Sequence, residues 1–240
     1  MNEHLINQGG IQQDLVYMAA HELKSPVTVL KAYIQMISLK MNKAGQTDYL
    51  GIAEKMDVQL DKLLNIIADL QDATQITSGS LNYHFAELNI NESLSNCIDV
   101  LKIANPEVEV EFSLCSPDPL IKADKDRIEQ VITNLTGNAL KYSGKNKYLK
   151  VTSTIEGDKL KICVADKGDG IPAEKLPYVF ERFFRVGSPD ENKLPGLGLG
   201  LFICKEIISG HQGEIGVSSK LGEGSEFWFS LPLEQGKPLV

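Results

Sequence analysis

The run His21-Glu22-Leu23-Lys24-Ser25-Pro26 lies within a segment whose apolar residues recur at Leu15, Ala19, Leu23, Val27, Leu30, Ile34, Ile37 and Met41. Steps of three and four residues mark one buried face of an α-helix, so the segment reads as a long helix. His21 is off that face. Its helical neighbours Asp14, Tyr17, Lys24, Ser25 and Thr28 are mostly polar, which turns the imidazole toward water or a partner. An imidazole so placed is available as a substrate as well as a catalyst. Pro26 has no N–H to give the Glu22 carbonyl and its ring crowds the preceding turn, so a local bend is expected beside His21.

Working outward, a second helix carries its own stripe at Ala53, Met56, Leu60, Leu63, Ile67 and Leu70. The connection is Asn42-Lys43-Ala44-Gly45-Gln46, and Thr47 or Asp48 is the expected N-cap. Two helices with faces this extensive cannot bury them against each other alone. A helical hairpin that pairs with a second copy into a dimeric four-helix bundle is the economical solution, and packing on the rest of its own chain is the alternative. Thr77-Ser78-Gly79-Ser80 then breaks the helical pattern and marks a domain boundary.

Beyond the break the pattern is mixed. Strand-like runs fall at 108–114, 149–155, 159–165, 214–218 and 226–231, and helical stretches near 91–104, 124–142, 173–182 and 199–209. The reading is an α+β multidomain chain: the helical hairpin, then an α/β sandwich with helices on one face of a mixed sheet. The 240 residues, 42% of them hydrophobic, suffice for one or two such cores. A net charge of -8 excludes a nucleic-acid backbone as partner, because phosphate binding needs clustered Lys and Arg. Cys97, Cys115, Cys163 and Cys204 are too widely spaced for a metal or redox motif and read as reduced core thiols. No apolar run is long enough to cross a bilayer and no signal peptide is evident, so a cytoplasmic location is expected. Residues 1–10 are too short for a sensory domain, and a piece of a longer receptor is the favoured reading.

Four segments carry candidate chemistry. On the helix over 124–142, Ile128, Ile132, Leu135, Ala139 and Tyr142 form one stripe and Asn134, Asn138 and Lys141 another. Taken alone the second stripe is a solvated face. Two amides and an ammonium at this spacing also suit an oxygen for a divalent cation and a positive charge for a phosphate. The strand over 159–165 ends in Asp166-Lys167-Gly168-Asp169-Gly170-Ile171, where a carboxylate can accept from an exocyclic amine while Gly168 and Gly170 let a ring approach; a plain tight turn is the alternative. Phe180-Glu181-Arg182-Phe183-Phe184-Arg185 precedes a polar segment, 186–195, that reads as a lid or a surface loop. Gly196-Leu197-Gly198-Leu199-Gly200-Leu201 then opens a buried helix and offers backbone N–H groups to an anion, in neither the Rossmann nor the Walker spacing.

In this order the segments closely resemble the transmitter core of bacterial two-component sensor histidine kinases, from about Ile11 to Leu233. His21 to Pro26 looks like the H box, Asn134 to Ser143 the N box and Asp166 to Ile171 the G1 box. Phe180 to Arg185 looks like the F box and Gly196 to Leu201 the G2 box. The resemblance implies the ATP-binding sandwich shared with gyrase, with ATP and Mg²⁺ as ligands. It implies that His21 receives the γ-phosphoryl group, that Glu22 is the general base and that Asn138 holds Mg²⁺. Asn134 would support the site and Asp166 would recognise adenine. Lys141, Tyr142, Arg185 and the loop Gly196, Leu197, Gly198, Leu199 and Gly200 would surround the phosphates. Ser25 stands where the family usually has Thr or Asn to orient water for dephosphorylating the partner. His211-Gln212-Gly213 replaces the commoner His-Gly-Gly, and Thr136 replaces an aliphatic residue.

The implied organisation is a linker over 1–10, a dimerisation and histidine phosphotransfer domain over 11–78 and an interdomain linker over 79–84. A catalytic ATP-binding domain over 85–234 and a tail over 235–240 follow. The implied partners are a second copy through the N-terminal helices and a response regulator receiver domain, with neither nucleic acid nor a membrane segment in the chain. Two other readings use the same residues: an ATPase of this fold that drives conformational change, and a non-catalytic dimeric scaffold.

Overall fold

The computed structural model describes Lys24, residues 27–28, 30–39, 47–144, 147–186 and 197–233. The chain divides into two compact units, 1–81 and 82–240. Residues 82–84 of the segment read as linker therefore belong to the second unit.

In the first unit, Lys24, Val27, Thr28 and residues 30–39 are helical (α1), and α2 spans Thr47–Thr77. Thr47 and Asp48 are both already helical, so neither is the cap expected of them, since a capping residue stands outside the helical dihedrals. Burial follows a period of seven: Val27 and Ile34 on α1, and Ala53 and Ile67 on α2 with Leu60 half-buried between them. Between those positions the stripes stay open, with Leu30 at 53% exposure, Ile37 at 45%, Met56 at 51% and Leu63 at 42%. Lys31 bonds Asp61 and lies 3.9 Å from Asp57, which pins the two helices in register. α2 ends in a Schellman cap. Gly79 at φ 67° donates its N–H to the Ile76 carbonyl at 3.1 Å, and Ser80 donates to that of Gln75 at 2.9 Å.

The second unit runs β1 (Ala86–Asn89), α3 (Ile90–Ala104), β2 (Glu109–Ser113), β3 (Leu120–Ala123) and α4 (Lys125–Tyr142), then β4 (Tyr148–Glu156), β5 (Lys159–Asp166), α5 (Gly200–Gly210), β6 (Glu214–Lys220) and β7 (Gly224–Pro232). The main sheet is ordered β2-β4-β5-β7-β6, parallel between β2 and β4 and antiparallel elsewhere, and β1 pairs with β3 in a separate ribbon. Along β5 the alternation buries Leu160, Ile162 and Val164. Against that face pack α4, through Ile128, Val131, Ile132, Leu135 and Ala139, and α5, through Phe202, Ile203, Ile207 and Ile208. The mixed sheet with helices on one face is as the sequence implies. The ribbon of β1 and β3 is not foreseen, because four residues are too few to show alternation. The helix expected over 173–182 is a 3₁₀ segment, Ala173–Tyr178, followed by turns; Pro177 within it cannot donate an i→i−4 bond. No helix among the described residues is long and apolar enough to cross a membrane.

Candidate functional site

α4 begins at Asp124, whose side chain accepts from the Arg127 N–H at 3.2 Å. With the apolar stripe of α4 turned to the sheet from Ile128 to Ala139, the other face carries Asn134, Asn138 and Lys141, all half-buried, while Tyr142, expected on the apolar stripe, is exposed at the helix end. Asn134 Nδ2 is buried without a hydrogen-bond partner. A buried orphan donor costs roughly 1–3 kcal/mol, which makes this amide a candidate ligand contact. The Lys141 ammonium lies 5.1 Å from the Tyr142 ring centroid.

β5 delivers Asp166 to the same end of the unit. Its carboxylate is buried, and Oδ1 accepts from the Gly168 N–H at 2.8 Å. Burial pushes this carboxyl up, N–H donation from Gly168 and Ser225 works against the rise, and the nearby Asp169 charge adds to it. Gly168 has no room for a side chain, since a Cβ there would stand 2.0 Å from the Tyr142 carbonyl oxygen. The loop after β5 is thereby locked to the end of α4. Gly170, at φ 69°, presses equally close on the Lys220 carbonyl. The Ile171 N–H donates to Ser219 Oγ at 2.8 Å, and the Gly222 N–H donates to the Asp169 carbonyl at 2.7 Å. Ser219 also reaches the Gly224 carbonyl and the Ser225 hydroxyl, at 2.8 and 2.9 Å. The β6–β7 hairpin is thus a buttress for the Asp166 loop, which a motif search does not find because its residues lie some fifty positions downstream.

The third piece joins the Phe180–Arg185 segment to the start of α5. The Phe183 N–H donates to the Gly198 carbonyl at 3.0 Å, with Phe183 at φ 62° and Gly198 at φ 72°. A Cβ on Gly198 would come within 2.7 Å of the Phe184 carbonyl. Arg182 stacks on Phe202 at 4.5 Å, while Arg185 is half-buried and Leu197 exposed. Leu199 is buried and gives α5 no side-chain cap, so the first α5 amides are not closed by a side chain. Gly200 faces Asn134: a Cβ there would touch its amide at 3.7 Å. The structure thus brings together Asp166 with Gly168, Gly168 with Tyr142, and Asn134 with Gly200. His21, Glu22, Ser25, Gly196 and most of the lid segment, 187–195, lie outside the described residues.

Residues 11–79 match the His Kinase A (phospho-acceptor) domain and residues 123–235 the family described as histidine kinase-, DNA gyrase B- and HSP90-like ATPase. The catalytic domain of the histidine kinase ThkA is 32% identical, with a TM-score of 0.54, over 62% of this chain and 96% of its own. The chain belongs to the sensor histidine kinases. Among curated relatives, the alginate biosynthesis sensor protein KinB of Pseudomonas aeruginosa is 29% identical over 225 residues, 93% of this chain and 37% of KinB. Full-length ShkA, crystallised in complex with AMPPNP, matches with a TM-score of 0.71 and 26% identity over 92% of this chain and 46% of its own. The chain therefore spans less than half the length of both KinB and ShkA. Its two domains stand in the order of a transmitter core, phospho-acceptor helices first and ATPase sandwich second.

Proposed function

We propose that the chain is the core of an ATP-dependent protein histidine kinase that phosphorylates His21 and passes the phosphoryl group to an aspartate on a response regulator receiver domain. The observation that carries this reading is the meeting of α4 and α5 at Asn134 and Gly200, where an orphan buried amide faces a helix start without a side-chain cap. Helix-start N–H groups favour an anion, and phosphoryl transfer depends chiefly on in-line positioning and on neutralising spreading charge. Asp166 accepts from the exocyclic amine of adenine, its carboxylate having acceptor sites beyond the one Gly168 uses. Lys141, Tyr142, Arg185 and the Gly196–Gly200 loop surround the phosphates.

No group of three or more His, Cys, Asp or Glu side chains that could hold a metal occurs among the described residues. The Asn138 amide oxygen is a hard donor that fits Mg²⁺ when phosphate oxygens and water complete the coordination, and the cation would then offset phosphate charge. The phosphorus–oxygen bond to the β-phosphate breaks as a bond forms to a neutral ring nitrogen of His21; Glu22 takes the proton from the other nitrogen. Ser25 orients water for the reverse task of dephosphorylating the regulator. The domain limits are those read from the sequence, 11–78 for dimerisation and phosphotransfer and 85–234 for catalysis, with a linker over 79–84 whose residues 82–84 pack with the second unit. The chain works in the cytoplasm. The open positions of the α1 and α2 stripes support pairing with a second copy.

Incubation with γ-labelled ATP and Mg²⁺, beside His21→Gln and Asn138→Ala, tests the reading. Acid-labile, base-stable label on the parent chain and none on either variant is the expected result. Phosphate release without labelled protein would replace the kinase with an ATPase of this fold.

A further inference from the structure

Asn134, Asn138, Lys141 and Tyr142 of the proposed nucleotide site lie on the C-terminal half of α4, and Gly200 stands at the start of α5. The opposite ends of both helices meet one short stretch of chain, Tyr83-His84-Phe85. Asp124 is the hub of that junction. Its Oδ1 accepts the Arg127 N–H that caps α4, its Oδ2 accepts the His84 N–H at 2.8 Å, and its own N–H donates to His211 Nε2 at 3.0 Å. Because Nε2 is an acceptor, the ring proton of His211 sits on Nδ1 and is donated to the Ile207 carbonyl of α5 at 2.8 Å. Both ring nitrogens are thereby used in the neutral form.

The strap covers this ring. The His211 imidazole lies edge-on to Tyr83, with centroids 5.1 Å apart, and 4.9 Å from Phe85. Tyr83 Oη also donates to the Glu206 carbonyl at 3.3 Å. Gly210, near the end of α5, makes room for the tyrosine: a Cβ there would lie 2.3 Å from Tyr83 Oη. None of these residues is among the candidate site residues. All of them tie the start of α4 and the end of α5 to the chain that enters the second unit.

We propose that residues 83–85 form a coupling strap whose seating on Asp124 and His211 sets the α4–α5 pair and so the affinity for nucleotide. When the strap lifts, Asp124 loses one donor and His211 its aromatic cover, and the two helices that hold Asn134 against Gly200 are no longer locked at their far ends. Linkage makes the effect reciprocal, so bound nucleotide must tighten the strap. The inference rests on the nucleotide-binding reading of the site.

Gly210→Ala is the direct probe. It places a methyl under the Tyr83 ring, and in a helix of ordinary dihedrals alanine is preferred to glycine, so folding is retained. Tyr83→Ala removes the ring, and Tyr83→Phe keeps it. The measurements, on the full chain, are binding of a fluorescent ATP analogue and hydrogen–deuterium exchange of the His84 amide with and without AMPPNP. Gly210→Ala and Tyr83→Ala are each expected to weaken binding roughly fivefold or more, with Tyr83→Phe close to the parent. Nucleotide is expected to slow His84 exchange in the parent and much less in the two weakened proteins. Unchanged affinity in both, or His84 exchange indifferent to nucleotide while the parent binds it, overturns the coupling. A parent chain that binds no nucleotide overturns the site reading itself, and the proposal with it.

Discussion

The Asn134 amide and Gly200 face each other across the gap between α4 and α5, close enough that a Cβ on the glycine would touch the amide at 3.7 Å. That separation is ordinary van der Waals contact, so Gly200→Ala fits without moving backbone. The methyl would stand over the α5 amides that an anion needs. Gly200→Ala is expected to leave the melting temperature within about 2 °C of the parent while weakening ATP-analogue binding by roughly tenfold. Asn134→Ala is expected to behave similarly, because it removes a buried donor that has no partner. Calorimetry and nucleotide titration on the same samples check both.

Glycines along the site differ in what they tolerate. At Gly168 a Cβ would stand 2.0 Å from the Tyr142 carbonyl oxygen, whereas at Gly137, inside α4, it would meet nothing within 4 Å. Gly168→Ala must push the Asp166 loop off the end of α4 and is expected to cost on the order of 2–3 kcal/mol along with nucleotide binding. Gly137→Ala is expected to stabilise the protein by about 1 kcal/mol through helix propensity alone. Urea unfolding of the two variants separates packing from propensity.

The legible part of the fold was the part written in local periodicity. The alternation of Leu160, Ile162 and Val164 located β5, and the apolar stripe from Ile128 to Ala139 fixed which face of α4 is buried and so where Asn134 and Asn138 point. The glycines before Leu201 located the start of α5. What the local pattern does not hold are partners far apart in the chain, such as Asp124 and His211, 87 residues apart, or Ser219 beneath Ile171, 48 apart. A four-residue ribbon such as β1–β3 is too short to register as alternation, and Pro177 is a reason why the 173–182 stretch is not α-helical.

The sequence does mark one point of strain. Gln212 occupies φ 58°, in the position where the resembling kinases commonly have glycine. A side chain in the left-handed region costs roughly 1–2 kcal/mol, part of which glycine returns through the flexibility of the unfolded chain. Gln212→Gly is therefore expected to raise stability by about 0.5–1 kcal/mol with kinase activity unchanged, as read by thermal unfolding beside the labelling assay.

Asp69 gives the first unit a pH dependence. Burial and the Asp72 charge one turn later push its carboxyl up to about 6, from an ordinary value of 3.8. Between those values the folded chain binds the proton more tightly than the unfolded chain, so this group's destabilisation is absent below about pH 3.8 and complete above about pH 6. Asp69→Asn is expected to stabilise the helical unit by on the order of 2 kcal/mol at about pH 7.5, with the gain gone near pH 4. Denaturant titrations of parent and variant at both ends of the range check the sign. A gain independent of pH would mean that the surroundings do not raise the pKa of this carboxyl.

The open stripe of the hairpin makes the last prediction. Val27, Ile34, Ala53 and Ile67 are buried, while Leu30, Ile37, Met56 and Leu63 alternate with them and remain exposed. Helix faces with large apolar side chains left open at this spacing are stable in water when another pair of helices covers them. A charge at Leu63 would have to be desolvated in the covered bundle but stands in solvent on a lone hairpin. Leu63→Glu is expected to shift the protein from dimer to monomer by light scattering at micromolar concentration and to abolish autophosphorylation, while ATP-analogue binding in the second unit is retained. A dimer that survives Leu63→Glu and Ile37→Glu together would place the interface on another face.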